Sequence, residues 1–158
     1  MKRQQKYPDT KTFHYYNANP HNKLSGDCVI RAVATVLEQS WEQTLKEMCD
    51  IGIKYGYVPT DDKVIARYLE NKGWYKHRQP RKFNNTKFTG KEFCECVQKT
   101  DFIDQFLCLE PAVIPYVGIK KILANIGGHH IVAIIDGKVN DIWDSTDGCI
   151  GNVWVKEV

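Results

Sequence analysis

Residues 127–144, Gly127-Gly128-His129-His130-Ile131-Val132-Ala133-Ile134-Ile135-Asp136-Gly137-Lys138-Val139-Asn140-Asp141-Ile142-Trp143-Asp144, decide how this chain folds. After the two histidines comes a short apolar run rich in β-branched side chains, which fits a buried strand. Asp136-Gly137 is a strong hairpin signal, because both residue types tolerate the left-handed backbone that tight antiparallel turns need. Residues 139–143 read as the returning strand. Just upstream, residues 122–126 read as another strand, and residues 151–155 suggest one more at a sheet edge.

Further upstream the periodicity becomes helical. Val29, Ala32, Val33, Val36 and Leu37 are spaced for a helix over 27–38. Ser40 with Gln43 makes a capping box for a second helix, which carries Trp41, Leu45 and Met48 and ends near Gly52. Thr60 is the expected cap of a third, with Val64, Ile65, Tyr68 and Leu69 on one face and Gly73 as its stop. Residues 74–82 read as a polar connection with room for a short strand. Thr89 with Glu92 opens a fourth helix through about Val97. The first 24 residues, rich in Tyr, Asn, Pro and His, read as an irregular arm, and Pro111 and Pro115 bracket a loop. Helices followed by an antiparallel sheet predict one α+β domain over 1–158.

Apolar content of 42% and charged content of 26% are those of an ordinary soluble domain. A formal charge of +3 is too small to argue for nucleic acid, and the basic cluster at 76–82 reads as a solvated loop. No apolar run has the length of a membrane span, and the charged N-terminus has no hydrophobic stretch behind it, so no membrane contact and a cytoplasmic location are expected. There the six cysteines, Cys28, Cys49, Cys94, Cys96, Cys108 and Cys149, should be free thiols. None forms a paired C-x-x-C. Cys94 and Cys96 would point in different directions on a helix, so no metal site is expected.

Cys28 alone among the cysteines stands at a predicted helix start, behind Ser25-Gly26-Asp27. A thiol there meets the positive end of the helix dipole and free amide N–H groups, and both stabilise the thiolate. A histidine brought beside it completes a nucleophile–base pair. His130 adjoins the apolar run, which fixes its orientation; His129 falls on the opposite face and is the substitute. The residue that orients the imidazole should come from the next strand. A three-residue loop at 136–138 pairs Ile135 with Val139 and sets His130 opposite Asp144. A two-residue loop slips the register by one, brings Trp143 opposite His130 and puts Asp141 on the diagonal of the same face. Asp144 is the expected third member and Asp141 the fallback; turn chemistry explains the 144–148 stretch equally well. Donors for a developing oxyanion would be the Cys28 backbone N–H and the Asn22 amide, with Asn19 a weaker candidate. Tyr15, Tyr16, Trp143 and Trp154 either line the cleft or belong to the core.

The order Cys, His, Asp, with the cysteine opening an N-terminal helix and His-Asp on a C-terminal hairpin, resembles the papain-like cysteine peptidases. The segments Asn-Ala-Asn-Pro…Gly-Asp-Cys-Val-Ile-Arg-Ala and His-Ile-Val-Ala-Ile-Ile-Asp-Gly…Trp-Asp-Ser are similar to small bacterial and phage proteins of that superfamily, which includes the bacteriocin-leader-processing type. The resemblance implies a papain-like fold, with helices packed on a C-terminal antiparallel sheet. It also implies Cys28 as nucleophile, His130 as base and Asp144 as third member. Asn22 stands where plant and lysosomal members carry an oxyanion Gln. The activity implied is hydrolysis of a peptide or isopeptide bond through an acyl-thioester, without metal or organic cofactor, on a peptide or protein substrate inside a bacterial cell, by an enzyme that the bacterium or a phage encodes. Two alternatives use the same fold: a phage or mobile-element binding or inhibitor protein, with the basic loop as contact surface, and an acyltransferase with the same three residues.

Overall fold

Strand β4 (His130–Ile135) is buried on both faces, and the rest of the molecule is arranged about it. The computed structural model describes residues 1–99 and 110–157. The other strands are β1 (Phe13–Tyr15), β2 (Trp74–His77), β3 (Lys121–Ile126), β5 (Lys138–Asp141) and β6 (Ile150–Lys156). They form one six-stranded sheet in the order β1-β5-β4-β3-β6-β2. Every neighbouring pair is antiparallel except β1 and β5, where Phe13 lies beside Val139 in a parallel pairing. The sheet is therefore mixed, and the segment expected to be an irregular arm supplies its edge, with Phe13 fully buried. Residues 151–155 are not an edge either: β6 lies between β3 and β2. A strand of three residues shows no periodicity, which is why β1 could not be read from the sequence.

Five helices complete the described structure: α1 (Arg3–Lys6), α2 (Cys28–Leu37), α3 (Trp41–Tyr55), α4 (Asp62–Asn71) and α5 (Gly90–Val97), with a 3₁₀ turn over Pro111–Tyr116. The caps differ in detail from expectation. Ser40 Oγ accepts from the Gln43 N–H at 3.0 Å, but the Gln43 side chain turns to Glu47, so only half of the capping box forms. Helix α3 runs past Gly52 to end at Gly56, which takes the left-handed conformation (φ 82°). Asp61, not Thr60, caps α4. Thr89 caps α5 as its sequence predicts, accepting from the Glu92 N–H.

Alternation along the strands divides the core into two. Ile122, Ala124, Ile126, Val132 and Ile134 pack with Phe13, Phe93, Val113 and Tyr116 under α5 and the 3₁₀ turn. Leu123, Ile131 and Ala133 face the other way, against Val29, Ile30 and Val33 of α2, Met48 of α3 and Ile65 and Leu69 of α4. A sheet covered on both faces accounts for the continuous apolar run of β4. Among the described residues no helix is long and apolar enough to cross a membrane.

Candidate active site

The turn after β4 sets the geometry of the site. Asp136 (φ 48°) and Gly137 (φ 73°) are both left-handed, as a two-residue type I′ turn requires. Ile135 accordingly pairs with Lys138 and Ile134 with Val139. This register differs by one residue from the one that selected Asp144. It carries Trp143 opposite His130, where the two rings lie 5.0 Å apart between centroids. It also brings Asp141, the last residue of β5, onto the imidazole: His130 Nε2 donates to Asp141 Oδ2 at 2.5 Å. Asp144 makes no such contact. Its Oδ1 accepts from the Thr146 N–H at 3.0 Å and the Thr146 hydroxyl at 2.6 Å, an Asx turn.

Helix α2 delivers the thiol. Cys28 is its first residue, partly buried, and its sulfur is hydrogen-bonded to His130 and to the backbone N–H of Ile131. Since Asp141 occupies Nε2, the imidazole presents Nδ1 to the sulfur. Burial alone would push the Cys28 thiol up. The His130 and Ile131 hydrogen bonds and the positive charges of His130 and Arg31 outweigh it, and the thiol falls below its ordinary range. Burial opposes the charge on His130 as well, but the Asp141 and Cys28 hydrogen bonds and charges raise it to about 9. Asp141 is held below the usual carboxylate range: burial works against ionisation, and the His130 hydrogen bond, the His130 and Arg31 charges and the Ile142 N–H overcome it. These shifts all favour a thiolate facing an imidazolium over a neutral thiol and imidazole.

The remaining candidates fall elsewhere. His129 is exposed in the three-residue turn between β3 and β4. Asn22 is exposed with left-handed backbone (φ 51°), the conformation of a turn residue. Asn19 is buried, and its amide donates to Asp27 Oδ2 at 3.2 Å. Of the four aromatics, Trp143 touches the imidazole, Tyr16 is exposed, Tyr15 at the end of β1 packs on the core, and Trp154 is buried. Trp154 also lines a cavity of about 350 Å³ with Ile65, Asn125, Gly128, Ile131 and Asn152, which reaches the residues flanking His130. Cys94 and Cys96 lie on α5, and Cys108 lies outside the described residues. Several charges of the basic loop are engaged within the fold: Lys82 pairs with Glu92, Arg81 bonds the Asn85 carbonyl, and Lys76 lies over the Trp154 ring.

Three features of the site, the engagement of Asp27, the second partner of Arg31 and a backbone donor to the thiol, were not foreseen from the sequence. Asp27 is the N-cap residue of α2, yet its carboxylate does not cap; it accepts from Arg31 Nε at 2.9 Å and from the Trp41 indole N–H at 2.9 Å. Arg31 also reaches Asp141. The third is the Ile131 N–H on the Cys28 sulfur. The first two left a trace: Asp27 and Arg31 are four apart, and Arg31 is the one charge among Val29, Ile30, Ala32 and Val33.

No family model, no curated protein and no solved structure matches this chain.

Proposed function

We propose that this chain is a cysteine peptidase of the papain-like kind, which cleaves a peptide or isopeptide bond in a peptide or protein inside a bacterial cell. The observation that carries the proposal is the array Cys28–His130–Asp141: a thiol at a helix start, hydrogen-bonded to an imidazole whose far nitrogen is held by a buried carboxylate. That arrangement supports nucleophilic catalysis because it forms the attacking thiolate and the acid that protonates the leaving group in one step.

The Cys28 thiolate attacks the scissile carbonyl carbon, and the carbonyl π pair moves onto oxygen. The Cys28 N–H, in the first turn of α2 where no side chain caps, donates a hydrogen bond to the oxyanion. As the tetrahedral adduct collapses, the C–N bond breaks and the His130 Nδ1 proton passes to the departing amine. A thioester remains on Cys28. Water then loses a proton to His130 and attacks the thioester; the carboxylic acid product leaves, and thiolate and imidazolium are restored. Throughout, Asp141 holds the ring in the tautomer that keeps Nδ1 toward the sulfur.

Incubating wild type and Cys28→Ala with a bacterial tryptic peptide library, and reading new termini by mass spectrometry, tests the activity. New termini from wild type alone are expected. Alkylation by iodoacetamide at pH 6 should go first to Cys28 and far more slowly to the exposed Cys149. Identical termini from both proteins, with Cys28 no faster than Cys149, would refute the proposal.

A further inference from the structure

A buried cation stands behind the site. Arg31 follows Cys28 by three residues on α2, and its side chain is only 7% exposed. A guanidinium so far from water needs a partner for its charge and its donors. It has two. Nε donates to Asp27 Oδ1 at 2.9 Å, and Nη1 donates to Asp141 Oδ1 at 2.5 Å. The two oxygens of Asp141 are thereby divided: Oδ1 is taken by Arg31 and by the Ile142 N–H at 2.8 Å, and Oδ2 by His130. Asp27 is pinned from its other side by the Trp41 indole and the Asn19 amide. A chain of hydrogen bonds thus runs from α3 and the N-terminal segment, through Arg31, to the imidazole beside Cys28.

Among the described residues, the charged and titratable groups around Arg31 are Asp27 at the cap of its helix, Cys28 in the first turn, His130 on β4 and Asp141 on β5. Nearby, Arg3 of α1 donates to the Ile142 carbonyl, and His21 stands edge-on to Trp41. We infer that Arg31 is a positioning residue: it locks the Asp141 carboxylate behind His130, and its charge sets the pH window in which Cys28 and His130 exist as thiolate and imidazolium. This rests on the reading of Cys28 and His130 as nucleophile and base.

Charge and mere support make different predictions. Removing a cation raises the pKa of every acid near it, so both edges of the window should move to higher pH together. If Arg31 were only a prop, its loss would free Asp141 from His130. Imidazolium would then be lost at lower pH and thiolate formed at higher pH, and the window would narrow from both sides. Removing the Asp27 charge should move both edges down.

The experiment is the pH dependence of Cys28 carboxymethylation by iodoacetate, whose rate is bell-shaped for a thiolate–imidazolium pair. Wild type, Arg31→Gln, Arg31→Lys and Asp27→Asn are compared, with folding checked by circular dichroism. We expect both limbs to rise in Arg31→Gln, by on the order of one pH unit. Both should fall in Asp27→Asn and stay in place in Arg31→Lys. Limbs that converge or do not move in Arg31→Gln overturn the inference. If that variant does not fold, the other two decide: displaced limbs in Arg31→Lys, or limbs that fail to fall in Asp27→Asn, overturn it. A wild type with a single limb in the free-thiol range removes the nucleophile–base pair itself, and both proposals fall. Two wild-type limbs that the variants leave unmoved remove only the role of Arg31.

Discussion

Cys28 and Cys94 lie on helices that cover opposite faces of one sheet, and their thiols are driven in opposite directions. Cys94 sits in the middle of α5 with no exposure, and burial pushes its thiol up to about 12. Burial is also the largest single influence on Cys28, yet that thiol ends below its ordinary value. The difference is what each sulfur touches. Cys94 meets a backbone hydrogen bond from Val139, with the negative charges of Asp144 and Glu95 nearby. Cys28 meets the His130 imidazole, the Ile131 N–H and the positive charge of Arg31. Partners, more than depth, separate a packing thiol from a reactive one.

The largest effect that would break this contrast is on activity. Cys28→Ala should lower hydrolysis of any substrate found with the peptide library by roughly 10³-fold or more, while Cys94→Ala leaves the rate per folded molecule unchanged. Comparable losses in both would erase the distinction. Asp141→Ala should cost less, about 10- to 100-fold, because a thiol already acidic depends only partly on its third member. The measurement is kcat/KM alongside Asp144→Ala, which should stay within about twofold of wild type. A larger loss from Asp144→Ala would restore the alternative register.

On stability the order reverses. Cys94→Ser buries a hydroxyl in an apolar site and should destabilise by about 1–3 kcal/mol in denaturant unfolding. Cys28→Ser, partly exposed at a helix start, should change stability by about 1 kcal/mol or less. A smaller effect arises where an ionised network does no chemistry. Glu47 on α3 accepts from the Tyr68 hydroxyl, from Gln43 and from Lys72, and these contacts lower its carboxyl to about 2, the Tyr68 bond contributing most. A carboxyl held below its unfolded value stabilises the fold above the ordinary value of 4.5, and that contribution disappears as pH falls toward about 2. Melting curves should lose a few degrees over that interval, and Glu47→Gln should lose fewer. An equal loss in both would mean the α3–α4 network contributes nothing.

Much of the site was legible because its parts are local. The apolar periodicity of α2 located Cys28, and the run of β4 located His130. The third residue depended on one residue of loop length, since a slip of one position exchanges the two faces of a strand. The Asp-Gly pair held the information: left-handed backbone at both Asp136 and Gly137 makes the turn two residues long and moves the carboxylate from Asp144 to Asp141. The mixed character of the sheet was not legible. The three residues of β1 take their strand conformation from pairing with β5, more than a hundred positions away, and no local propensity reports that. Arg31 was visible as a charge inside an apolar helix face, but only the fold supplies Asp141 as its second partner.

If Cys28 and His130 share one proton, the pH dependence of Cys28 alkylation in wild type, His129→Ala and His130→Ala will show it. The expected result is that His130→Ala moves the onset of thiolate reactivity up toward the free-thiol value of about 8.5, while His129→Ala, changed in an exposed turn, follows wild type. A profile displaced by His129→Ala and untouched by His130→Ala would rule out His130 as the partner of Cys28 and, with it, the hairpin register that carries Asp141 to the imidazole.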